Sequence, residues 1–218
     1  MILRGLKTSR CACVAFFYPS VLLNPPPMKF KATSWIFTKE NLRVSKFKNG
    51  EQIPIVTDST WGGLLSSARC WYANDSIHNN LPYGNLYNGI AARDSRGICP
   101  QGWHVPSDTD WAILTDTLGG MLHAGGALKL NGTQFWSTPN TNATNASGFS
   151  ALPGGFRSGN NFYNIRDMGY YWTSTDYYGW AAFNRVLSFN TGEIARQPGE
   201  HVFNAWYQTG ASIRCVQN

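Results

Sequence analysis

The sequence predicts an α+β fold of short antiparallel strands, one or two helices and long ordered loops, and three observations carry the prediction. The segment Cys99 to Gly120, CPQGWHVPSDTDWAILTDTLGG, combines a turn, a helix start and a helix stop. The runs Tyr170 to Ser174, Ala182 to Phe189, Glu193 to Arg196 and Ser212 to Val216 are short, aromatic or β-branched, and separated by Gly and Asn turns, as hairpin strands are. The stretch from Asn131 to Asn164 is rich in Asn, Thr, Ser and Gly with little periodicity, and reads as loop held down by Phe135, Trp136, Phe149, Leu152, Phe156 and Tyr163.

Taken in order, the chain opens on a basic leader. Up to Lys48 it carries nine basic residues and one acid, Glu40, whereas the remainder carries nine basic residues and eleven acids. The formal charge of +6 therefore comes wholly from the N-terminal quarter, and the basic balance gives no ground for a nucleic-acid partner. Residues 1–31 hold an apolar run, Cys11 to Leu23, broken by Pro19 and Ser20 and followed by three prolines. The run suits the core of a secretory signal in length and is too short to span a bilayer, but no small-x-small cleavage site follows. A start at Met28 is the equal alternative. From residue 32 to residue 218 the texture is uniform, with no charged or low-complexity linker, so one domain is expected over 32–218.

Pro106 restricts the chain just before the helix, and Ser107 is its expected N-cap, accepting from the amide of Asp110. Asp108 and Asp110 favour the positive end of the helix dipole. Trp111, Leu114 and Leu118 share one face, and Gly119 with Gly120 ends the run. Further on, Asn190-Thr191-Gly192 is the clearest hairpin turn, flanked by Leu187, Phe189 and Ile194.

The series WIFTKENLRVSKFKNGEQIP, CWYANDS, YGNLYN, ICPQGWHVPSDTDWAIL, GFSALPGGFR, FYNIRDMGYYWTST and SIRCV resembles, in order and spacing, the Fibrobacter succinogenes major paralogous domain. It covers the chain from about Trp35 to Val216. The resemblance implies a C-type-lectin-like fold, distantly related to the formylglycine-generating, sulfatase-modifying domains, in a bacterial secreted or surface-exposed protein with no established activity. Two departures stand out. The opening strand before Trp35 is truncated, and Arg196 to Ala211 lacks the expected Asn- and Ser-rich run. A lectin-like fold brings the two ends of the chain together, which implies a Cys99 to Cys215 disulfide. Three domain cysteines allow other pairings, and Cys70 with Cys99 is one.

The same resemblance sets the catalytic question. The sulfatase-modifying relatives need neighbouring cysteines near the C-terminus, and only Cys215 lies there. No C-x-x-C or Gly-x-Ser-x-Gly motif occurs. His104 lies near Asp108 and Asp110 and could serve as a general base, but between Trp103 and Val105 it reads better as a satisfied turn histidine. His78, His123 and His201 have no metal-ligand spacing. Gln197-Pro198-Gly199-Glu200 superficially resembles a calcium-lectin motif, yet Gly199 stands where a carboxylate is needed. The oxygen-rich patch of Asn160, Asn161, Asn164 and Asp167 reads as turn chemistry. No catalysis, metal or cofactor is expected. Four Asn-x-Ser/Thr sequons, at Asn74, Asn131, Asn142 and Asn145, are ordinary loop residues in a bacterial chain.

Aromatic residues carry the functional expectation. Trp35, Trp71, Trp103, Trp111, Trp136 and Trp172 fall in the motifs above and are core candidates. Tyr177, Tyr178, Trp180, Phe203, Trp206 and Tyr207 lie in or beside the loops between the last strands, interleaved with Asn184, Asn204 and Gln208. Flat rings with planar amides suit sugars, and Tyr and Trp anchor protein partners as well. The expected ligand-binding set is Tyr178, Trp180, Asn184, Asn204, Trp206 and Tyr207. It would serve a glycan or surface-protein partner, with no transmembrane segment in the chain. The alternative is a structural component of a surface complex, its rings buried against another protein.

Overall fold

The computed structural model describes residues 29–32, 35–179, 181–197 and 207–218. Calls on side chains at Trp180, Pro198, Gly199, Glu200, His201, Phe203, Asn204 and Trp206 lie outside the described residues.

The first strands, β1 (Lys29–Ala32) and β2 (Trp35–Thr38), pair antiparallel in register Phe30 to Phe37. β1 thus overlaps the last three residues of the stretch read above as leader, and the opening strand before Trp35 is four residues long. A short β3 (Arg69–Cys70) follows, then α1 (Ser76–Tyr83), β4 (Leu86–Asn88), α2 (Gly89–Ala92) and β5 (Trp103–His104). The predicted helix is α3 (Asp108–Thr117), with the expected capping box. Ser107 Oγ accepts from Asp110 N at 3.1 Å, and Asp110 Oδ2 accepts from Ser107 N at 2.7 Å. Gly119 and Gly120 end it at φ +95° and +84°.

The helix count exceeds the prediction, because α4 (Met121–Leu128) begins directly after that glycine pair. Its Gly125 and Gly126 are poor helix formers, yet they are what the packing requires. A Cβ on Gly125 would lie 2.0 Å from Glu193 O, and one on Gly126 2.4 Å from Asn142 O.

The loop expected over 131–164 ends early, since β6 (Gly154–Ser158) and β7 (Asn161–Ile165) form a hairpin. Gly159 at φ +55° opens its two-residue turn, and Phe156 stacks on Tyr163 at 5.0 Å. β8 (Met168–Tyr177), β9 (Ala181–Ser188) and β10 (Ile194–Gln197) contain or nearly match the strands predicted there. The single closing strand expected over 212–216 is split into β11 (Gly210–Ala211) and β12 (Val216–Gln217). Between them the backbone changes partners. Ser212 exchanges hydrogen bonds with Tyr170 O and Trp172 N, whereas Ile213 O and Cys215 O accept from Leu42 N and Thr38 N.

Two sheets result, β1-β2-β12-β5 and β10-β9-β8-β6-β11-β4-β3, with β7 on β6. The arrangement is mixed α+β, mostly sheet. Val216 of the last strand pairs with both Phe37 and His104, and Cys99 is bonded to Cys215. Cys70 is free and buried, and burial pushes its thiol up to about 11.

The central β8–β9 ladder is buried on both faces and alternates accordingly. Tyr170, Trp172 and Val186 join one core, with Tyr87, Ala91 and Ile213. Tyr171 and Leu187 join the other, with Trp111, Leu114, Leu128, Trp136 and Phe149. Of the six tryptophans assigned to the core, Trp103, Trp111, Trp136 and Trp172 are buried, Trp71 is only half-buried, and the side chain of Trp35 lies outside the description. Trp61, which no motif singled out, is fully buried as well.

Three buried cations tie the irregular segments to this frame, each through carbonyl oxygens. Lys129 Nζ donates to the carbonyls of Thr141, Ser188 and Thr191 at 2.7–2.9 Å. Arg157 donates to Val56, Asp58 and Gly159, and Arg214 to Thr38, Phe149 and Ser150.

Candidate functional site

The tip of the β8–β9 hairpin is where the strand ends converge with α2 and the start of the C-terminal segment. A bulge between Trp172 and Asp176 re-aims the end of β8. Asp176 Oδ2 then accepts from Gly179 N at 2.8 Å, which holds the tip. Tyr178 stands there at φ +53°, 78% exposed. A bulky residue in the left-handed region is uncommon and strained, and such outliers are found where structure over-determines them.

Below the tip, Asn88 orders α2 by accepting from both Ala91 N at 3.0 Å and Ala68 N at 3.1 Å. Gly89 N donates to Tyr207 O at 2.7 Å, and a Cβ on Gly89 would lie 3.0 Å from the Tyr207 ring. Glycine thus lets Tyr207 sit close against α2, where a larger residue would push it back by a few tenths of an ångström. The C-cap of α2 is Arg93, which lies over the Tyr207 ring at 5.0 Å and donates to its hydroxyl. Tyr207 in turn donates to Asp176 Oδ1, and Arg93 Nη1 reaches the same oxygen at 2.9 Å. The Tyr207 hydroxyl, flanking backbone and Arg93 hold the Asp176 carboxyl below the usual range, the hydroxyl foremost. Burial and the adjoining carboxylate push Tyr207 up to about 12, so it remains a donor.

An open cavity of about 420 Å³ adjoins this cluster, lined by Leu65, Ile90, Arg93, Asp94, Tyr207 and Gln208. Gln208 is fixed from both sides: its Nε2 donates to Leu64 O at 3.2 Å and its carbonyl accepts from Trp61 Nε1. Asp94 accepts from Arg96 Nη2 and from Ser67 Oγ, both at 2.6 Å. Leu65 is 89% exposed. The cavity thus offers apolar walls beside fixed donors and acceptors.

Of the expected ligand-binding set, Tyr178 and Tyr207 lie at this end of the hairpin. Trp180, Asn204 and Trp206 fall outside the described residues. Asn184 is corrected. It is 3% exposed, in the middle strand of the β8–β9–β10 ladder, where it pairs with Trp172 and Gln197. Tyr207 is half-buried and lines the cavity described above, with Arg93 lying over its ring. Arg93, Asp94, Leu65 and Ile90 escaped sequence reasoning because they lie more than a hundred positions from Tyr207 and carry no local motif.

His104 lies in β5 rather than in a turn, and both ring nitrogens are engaged: Nδ1 meets Asn218 Oδ1 at 2.7 Å and Nε2 meets Asp110 Oδ2 at 3.2 Å. Among the described residues no group of three His, Cys, Asp or Glu is placed to hold a metal ion, and no helix is long and apolar enough to cross a membrane.

Fold and site together define a disulfide-closed α+β domain with a polar-and-apolar cleft at one hairpin end. The family model described as Fibrobacter succinogenes major domain matches residues 31–217, and the chain belongs to that family. No curated protein and no solved structure matches the chain.

Proposed function

We propose that the protein is a non-catalytic binding module of the bacterial surface or exterior, with a C-type-lectin-like arrangement, recognising a glycan through the hairpin end of the large sheet. The carrying observation is the Arg93–Asp176–Tyr207 cluster beside the open cavity. Hydrogen-bonded side chains from distant segments converge beside an open cavity, as they do in ligand sites. The pairing of β12 with β2 supports the lectin-like reading. The Cys99–Cys215 bond supports an oxidising compartment.

The test is binding of the full chain to a broad panel of bacterial, plant and host glycans, with calcium and with chelator. Chelator-insensitive binding that is lost in Arg93→Ala and retained in Ile77→Ser supports the reading. The second reading is docking of another surface protein, for which exposed Leu65 and Tyr178 are the candidate anchors. Absence of glycan binding together with saturable binding to a surface-protein fraction, lost in Leu65→Asp, would support it instead.

A further inference from the structure

Resting on the glycan reading above, we infer that the cavity beside Arg93 selects uncharged sugars over acidic ones. Among the described residues, the two charged groups that line this cavity, Arg93 and Asp94, are both paired within the protein. Arg93 Nη1 meets Asp176 Oδ1 at 2.9 Å, and Arg96 Nη2 meets Asp94 Oδ2 at 2.6 Å. Arg96 also meets Glu51, so two cations and three carboxylates leave the cluster with a formal charge of −1.

A carboxylate on the ligand would have to displace Asp176 from Arg93 while facing Asp94 as a like charge. That pair is about a third exposed, so opening it costs little by itself, and the like charge of Asp94 supplies most of the penalty. An ammonium group would find both carboxylates engaged. A neutral pyranose makes neither demand. Its C–H face can cover Leu65 and Ile90, which line the cavity. Its hydroxyls, each donor and acceptor, can meet the guanidinium N–H groups that Asp176 and Tyr207 leave over, and the side-chain oxygen of Gln208. Apolar contact falls to these aliphatic walls, because the Tyr207 ring lies under Arg93. The volume of about 420 Å³ is at the small end for ligand sites, which suits a short glycan segment.

The experiment is calorimetric titration of the full chain with neutral oligosaccharides, mannan- and glucan-derived, and with oligogalacturonate of the same length, each at low and high salt. The expected result is binding of a neutral oligosaccharide roughly tenfold or more tighter than the acidic one, with little salt dependence. Leu65→Ser weakens it by roughly tenfold. Because Leu65 is 89% exposed, that variant keeps the fold. Tighter, salt-sensitive binding of the acidic oligosaccharide overturns the inference and leaves the glycan reading standing, as does neutral binding untouched by Leu65→Ser. Failure of both classes to bind overturns the glycan reading itself.

Discussion

Lys129 is fully buried and has no acid beside it among the described residues, yet its three ammonium hydrogens meet three carbonyl oxygens. Burial pushes its pKa down to about 8, while the three acceptors match the three donors of the charged form. Lys129→Met keeps the apolar stem and leaves those carbonyls without a donor. The expected loss is about 3 to 5 kcal/mol, read from denaturant unfolding. Asp94 gives a pH signature. Hydrogen bonds from Arg96, foremost, and from Ser67 hold its carboxyl at about 2 against an ordinary 3.8. Its contribution is therefore whole above pH 4 and disappears as pH falls toward 2. Since Arg96 is more than a third exposed, solvent screening reduces it to about 1 kcal/mol. Thermal unfolding across that range should show a smaller acid loss in Asp94→Asn than in the wild type.

At the scale of elements, α4 shows packing overriding propensity. Alanine at position 125 would gain about 1 kcal/mol as a helix former, but its Cβ would lie 2.0 Å from Glu193 O, a backbone atom. Overpacking typically costs about 1–3 kcal/mol, more where backbone must shift, so Gly125→Ala should lower stability by about 2 kcal/mol. A higher unfolding midpoint would show that the β9–β10 turn yields to α4. The helix α3 is the opposite case. Its cap, its apolar face and its glycine stop all agree with its final place, so local and tertiary preferences point the same way.

At the scale of the molecule, the first and last strands share a sheet, and the Cys99–Cys215 bond closes a loop of sequence separation 116. In the chain-entropy account such a loop stabilises by about 4–5 kcal/mol. Reduction should remove about that amount, and Cys215→Ser with Cys99→Ser should reproduce it under oxidising conditions. Equal unfolding midpoints for oxidised and reduced protein would mean that the strand pairing alone holds the ends together.

Much of the frame was legible because period, caps and turns are local signals. Trp111 and Leu114 marked α3, and Asn190 to Gly192 marked the β9–β10 turn. β6 and β7 lie outside the sequence reading because Gly154, Arg157, Ser158 and Asn161 interrupt the apolar pattern, and the stacking of Phe156 on Tyr163 joins residues that a local window does not pair. The site was less legible. Tyr178 and Tyr207 lie in the aromatic C-terminal region that the sequence singled out, but Asn184 is inside the sheet and Arg93 comes from a helix of four residues.

The amino-acid sequence by itself determined the α+β class, the family, α3 and the hairpin order, since each depends on neighbours in the chain. Only the tertiary structure decided which charges meet at the hairpin end. Ion pairs such as Arg93 with Asp176 join positions with no sequence relation, and burial at Asn184 depends on strands that arrive from elsewhere.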